Sequence, residues 1–183
     1  MTKQTRVIFL HGAPSSGKTT IMAGLFYKMK KNRHDVEMVI ESAKSFVWEG
    51  RMEALKCQPF VSSDQLWNIE KLIGKVDYII TDSPFMLAAI YGPIYTGDKY
   101  PQSFYDSMIE YHKKIMGYDF VLERGFPYEQ NGRVQDEEEA SDIHSRILHI
   151  LHTNGIQYMV MTNTDSDQVI DWIYEDIFHD GEI

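Results

Sequence analysis

Cysteine is almost missing from this 183-residue chain, with Cys57 standing alone. A single thiol cannot build a disulfide framework or a cysteine-rich zinc site, and it suits a reducing compartment. Long apolar runs are missing too, and none approaches the ~20 residues that a bilayer span requires. The opening MTKQTRVIFLHGAP holds no extended apolar stretch of a secretory signal. The expectation is therefore a cytoplasmic protein with no membrane association. There is no internal repeat, and no Pro/Gly/Ser-rich linker divides the chain, which predicts one domain over residues 1–183. At 43% hydrophobic residues the sequence is too apolar to stay disordered and long enough to bury a core.

Positive charge is scarce and unevenly placed. The net charge is −9, yet residues 1–60 carry 10 basic against 5 acidic side chains, and residues 61–183 carry 8 against 22. Such acidity disfavours nucleic acid as a partner and leaves room for a local anion site in the first third. Lys28, Lys30, Lys31 and Arg33 belong to that third but fall at a predicted helix end, where cations offset the dipole and face water.

Short runs rich in Val, Ile, Phe and Tyr predict strands at Arg6–His11, Val36–Glu41, Val76–Asp82, Tyr118–Arg124 and Ile156–Thr162. Helical patterns lie near 18–31, 42–56, 63–73, 102–116, 135–153 and 166–178. The alternation predicts an α/β fold: a five-stranded, mostly parallel sheet with helices on both faces. Ligands of such sheets sit beyond the carboxyl ends of the strands.

Directly after the first strand stands Gly12-Ala13-Pro14-Ser15-Ser16-Gly17-Lys18-Thr19, which fits G-x-x-x-x-G-K-[ST]. Successive backbone N–H groups of such a loop wrap a β-phosphate, and the glycines permit the dihedrals involved. Lys18 reaches the β/γ-phosphates, Thr19 offers a hydroxyl to Mg²⁺, and Thr20 follows at the helix start, where the dipole is positive. ATP and Mg²⁺ are the expected cosubstrate and cofactor.

Two carboxylates close predicted strands. Asp82 can hold the Mg²⁺ shell or take a proton from an attacking hydroxyl. Ser83 and Pro84 follow it, where motor ATPases place a water-activating Glu. Glu41, in Glu41-Ser42-Ala43-Lys44, can bind substrate hydroxyls or an amine, or can simply stabilise a helix start. Lys44 and Arg51 lie seven apart, on one face of the predicted helix. After the fourth strand, Arg124 and Arg133 flank a Gly-containing segment that is expected to act as a lid over about 124–139. The run Asp136–Glu139 offers Arg133 an ion-pair partner as an alternative. Asn163-Thr164-Asp165 is placed to meet an adenine base and lacks the Asn-Lys-x-Asp guanine signature. His144, His149 and His152 share a helix without a companion metal ligand. Among Trp48, Phe60, Trp67, Tyr91 and Tyr95, one or two are candidates to stack on a substrate.

Gly12–Thr19, Glu41–Phe46, the helix around Gln65, Ile80-Thr81-Asp82, Tyr118–Leu122 and Asn131-Gly132-Arg133 resemble the nicotinamide riboside kinase domain of bifunctional NAD-biosynthesis proteins. They also resemble small phage and bacterial P-loop proteins labelled as ATPases. Pro84 and Lys44 stand where that family tends to have an acid and an arginine. The resemblance implies a P-loop NTPase with a nucleoside-kinase-like fold. It casts Asp82 as the acid near the transferred group, Glu41 as a substrate carboxylate and Arg133 as a lid arginine. The expected activity is transfer of the γ-phosphoryl of ATP to a hydroxyl of a nucleoside-like small molecule, by a monomer or homodimer. The rival expectations are a nucleoside-monophosphate or nucleic-acid kinase, and a regulatory P-loop ATPase.

Overall fold

A computed structural model describes residues 3–128 and 136–179. Five strands form one sheet: β1 (Arg6–His11), β2 (Val36–Val39), β3 (Tyr78–Thr81), β4 (Gly117–Arg124) and β5 (Met159–Asn163). Their spatial order is β2-β3-β1-β4-β5, and all four pairings are parallel. β1 therefore lies at the centre with Ile8 between Ile80 and Tyr118, and it is buried from Val7 onward. Such burial on both faces explains why RVIFLH reads as a continuous apolar run instead of an alternation.

Side-chain direction sorts the core into two layers. Ile8, Leu10, Ile80, Phe120 and Leu122 face α1 (Lys18–Lys31) and α8 (Ser166–His179), meeting Leu25, Met29, Ile170 and Ile173. Val7, Phe9, Val39 and Ile79 face the other side, where Ile69 of α4 (Gln58–Glu70) and Phe85 pack on them. Val121 meets α5 (Ala88–Thr96) and α7 (Glu137–Thr153) through Ile90, Ile143 and Ile147. α6 (Gln102–His112) completes that layer. The expected three-layer P-loop architecture is present. Among the described residues, no helix is long and apolar enough to cross a membrane.

Three expectations about elements need correction. The helix expected over 42–56 divides into α2 (Ser42–Trp48) and α3 (Met52–Leu55). Gly50 adopts φ 68°, its N–H bonds Val47 O and the Arg51 N–H bonds Phe46 O, a paired closure that ends α2. α4 starts at Gln58, ahead of the expected residue 63, because Pro59 is well suited to a first helical turn. Between β3 and α6, where no element is expected, the chain forms a 3₁₀ turn (Phe85–Leu87) and α5. α5 carries Gly92 and Pro93 inside it, and a Cβ on Gly92 would meet the Tyr105 ring at 2.5 Å.

Candidate phosphate-transfer site

β1 delivers the chain into the loop at the carboxyl end of the sheet. Ser15 (φ 68°) and Gly17 (φ 84°) both sit in the left-handed region, which turns successive N–H groups toward one point. A Cβ on Gly17 would lie 2.4 Å from Asn163 Nδ2, so glycine is required there by space as well as by dihedral. α1 begins directly afterwards without a side-chain cap and without an acid in its first turn. Its N-terminal dipole end is thus left for an anion. The Lys18 amine donates to the carbonyls of Gly12 (2.8 Å) and Ala13 (3.0 Å), folded back along the loop.

Thr19 and Asp82 meet across the β1–β3 pair. The Thr19 hydroxyl donates to Asp82 Oδ2 at 2.6 Å, and Asp82 is 4% exposed. The other carboxylate oxygen, Oδ1, is buried without a hydrogen-bond partner. A hydroxyl beside a carboxylate with one unsatisfied hard oxygen suits Mg²⁺, so the residues present fit the ion that the motif implies. β3 ends at Thr81, one residue earlier than expected, so Asp82 stands just past the strand.

Glu41 likewise lies beyond β2, which ends at Val39, and occupies the position preceding α2. It makes no side-chain cap bond there. Burial pushes its carboxyl above the ordinary range, Lys18 and Lys44 oppose that rise, and the Asp82 charge adds to it. Burial also raises the Tyr91 phenol, with the Glu41 charge as a further cause. Glu41 thus interacts electrostatically with Lys18, Asp82 and Tyr91.

Gln65 of α4 holds this wall in place. Its Oε1 accepts the Ser42 N–H (2.9 Å), and its Nε2 donates to Thr81 Oγ1 (3.2 Å). One amide therefore ties the start of α2 to the end of β3. Lys44 is exposed on α2. Arg51 does not share its helix face as expected, since α2 has ended; its guanidinium covers Phe46 at 5.1 Å and Phe60 at 5.6 Å and pairs with Glu49. Trp48 and Trp67 are largely exposed, whereas Tyr91 stacks on Tyr95 at 6.0 Å.

On the opposite flank, Arg124 closes β4. Its Nη2 donates to Glu137 (2.8 Å), the guanidinium lies 5.0 Å from the Tyr128 ring centroid, and Nη1 is buried without a hydrogen-bond partner. Arg133, with the rest of the 129–135 stretch of the expected lid, lies outside the described residues. Asn163 ends β5 and is buried; its amide donates to Ser16 O (3.1 Å) and its carbonyl accepts from Ser166 (3.2 Å). It braces the loop from beneath, a contact that sequence reading did not foresee. His149 and His152 are exposed, and the one close grouping of metal-capable side chains among the described residues is His11, His112 and Asp119.

Residues 7–168 match a protein family described as an AAA domain. No curated protein matches the chain. Among solved structures, the fold is similar to that of the NadR protein in complex with NR, at a TM-score of 0.68 and 15% identity. That alignment covers 94% of this chain but 51% of the other, so this chain spans about half the length of that neighbour. A thymidylate kinase from Ehrlichia chaffeensis is similar at a TM-score of 0.64 and 15% identity, covering 94% of this chain and 98% of the kinase. At such identities the likeness concerns the fold.

Proposed function

The chain belongs to the AAA domain family, and from that premise we propose that it is an ATP-dependent kinase acting on a hydroxyl of a nucleoside-like small molecule. The observation that carries this reading is the 2.6 Å bond between Thr19 and Asp82, with Glu41 near enough to feel the Asp82 and Lys18 charges. The likeness of the fold to the NadR protein and to a thymidylate kinase supports it.

In this reading the loop amides of Gly12–Thr19 and the adjoining Thr20 cradle the β- and γ-phosphates, and Lys18 leaves its carbonyl contacts to reach them. Thr19 and Asp82 hold Mg²⁺, which offsets charge on the phosphates. The acceptor oxygen attacks the γ-phosphorus, the bond to the bridging oxygen breaks, and ADP leaves. Glu41 takes the hydroxyl proton, because a carboxyl raised by burial is a better base near neutral pH. Lys44 flanks the acceptor, Arg124 approaches the transferred group, and Arg133 is assigned the same task. Asn163 supports the nucleotide indirectly, by bracing the loop.

Release of ADP across a panel of nucleosides, nucleotides and 5′-OH oligonucleotides tests the reading. A nucleoside-like acceptor is expected to raise turnover above the ATP-only background. Lys18→Ala and Asp82→Asn are each expected to lower the rate on the order of 10²-fold or more. A response confined to nucleotides or oligonucleotides selects the corresponding rival kinase. If no acceptor raises turnover, the kinase reading fails and a regulatory ATPase takes its place.

A further inference from the structure

A buried polar trio beneath the phosphate loop has no part in the chemistry above. His11 is the last residue of β1 and directly precedes Gly12. Its Nε2–H donates to Asp119 Oδ1 on β4 at 2.6 Å, and the Nε2–H of His112, at the end of α6, donates to the same oxygen at 2.8 Å. His11 is 0% exposed and His112 is 2% exposed. The Phe9 ring lies 4.2 Å from that of His112, and the Phe85 ring lies 5.9 Å from it.

The two histidine donors hold the Asp119 carboxyl down at about 2, although burial by itself would raise it. An ionised carboxylate only accepts hydrogen bonds, so each imidazole carries a proton on Nε2. Both Nδ1 atoms are buried without a partner. A shared metal ion suits this arrangement poorly. Ligand atoms bound at ~2.0–2.2 Å around one tetrahedral ion stand more than 3 Å apart, and ligating histidines use their second ring nitrogen as a donor. The trio is a hydrogen-bonded brace.

Its position gives the brace a purpose. Gly12, whose carbonyl receives the Lys18 amine, is the next residue after His11. The Lys18 charge is also felt at His11, where burial lowers the imidazole pKa and the neighbouring carboxylate opposes that fall. The charged or titratable groups acting on His11 are thus Asp119 from β4, His112 from α6 and Lys18 from α1, and the apolar Phe9 ring lies 6.4 Å away.

We propose that Asp119 is a positioning residue for nucleotide binding: by tying His11 to His112 through one oxygen, it fixes the backbone at the root of the phosphate loop without touching the nucleotide. This rests on the reading that the loop binds ATP. Asp119→Asn keeps the shape and one acceptor oxygen while removing the charge. It is expected to shift the imidazole N–H resonances of both histidines and to speed amide hydrogen exchange at residues 12–17. ATP affinity should fall by about tenfold, as when a supporting shell loosens a site. His112→Gln, which leaves the His11–Asp119 bond in place, should show the same changes at smaller amplitude. If Asp119→Asn folds and shifts the resonances but leaves loop exchange and ATP affinity unchanged, the proposal is overturned. Should Asp119→Asn not fold, His112→Gln decides on the same readouts, and failure of both to fold also overturns it, because the trio is then a general folding element. A wild-type protein that does not bind ATP removes the kinase reading alone, and loop exchange still decides the role of Asp119.

Discussion

Glu41 and Asp119 are two partly buried carboxylates whose environments push in opposite directions. In Glu41, burial disfavours the charged form, so its pKa is raised in the folded state. The resulting penalty is absent below the ordinary value of 4.5 and develops as pH rises through the folded value. Asp119 is held at about 2 against an ordinary 3.8, so its contribution is complete above 3.8 and is lost as pH falls toward 2. Glu41→Gln is therefore expected to make the protein more resistant to urea at pH 7 than wild type, with the difference vanishing near pH 4. Its single-turnover phosphorylation rate should drop by about 10²-fold or more, the usual share of a general base. Equal urea midpoints at both pH values would contradict the burial account. The loop residues were legible because their pattern is contiguous: spacing alone places two glycines, a lysine and a hydroxyl around one phosphate. His11, His112 and Asp119 carry no such signal, since only the pairing of β1 with β4 and the return of α6 bring them together.

At the level of elements, strand cores were readable from composition and strand ends were not. RVIFLH agrees at both ends, whereas VEMVIE stops two residues early and IQYMVMT starts three residues late. Local rules account for the helix boundaries that shifted: Gly50 closes α2, and Pro59 opens α4. α5 escaped because it has no polar face to create a period; AAIYGPIYT buries Ala88, Ile90 and Gly92 within the helical layer. The Gln65 bridge was equally hidden, since a glutamine on a helix gives no sign of what its amide will span. Gln65→Ala strands the Ser42 N–H and loosens α2 from β3. The expected cost is about 1–3 kcal/mol of stability, seen in thermal melts. KM for the acceptor should rise more than kcat falls, because the variant disturbs placement and leaves Lys18 and Asp82 in position. A loss confined to kcat would show that α2 does not position the acceptor.

Across the whole molecule, net charge misleads and local charge informs. Five of the ten cations in the first third pair with carboxylates on the surface, Lys28 with Asp171 and Lys30 with Glu37 among them. Exposed pairs of this kind contribute little to stability and leave no continuous track for a polyanion. Raising salt from 50 to 200 mM is thus expected to change turnover well under tenfold, against the 10³–10⁵-fold loss of a protein with many phosphate contacts. A steep slope would favour the nucleic-acid rival. The central place of β1 also has a consequence in time. β1 leaves the ribosome before its neighbours β3 and β4, which are synthesised much later. Its apolar residues must wait unpaired while the second and third strands are made. Pairing over such sequence distances is slow. The loop rooted in β1 therefore acquires its shape among the last steps of folding, once β4 has closed against it, so a nascent chain displays its most apolar strand well before it can hold a nucleotide.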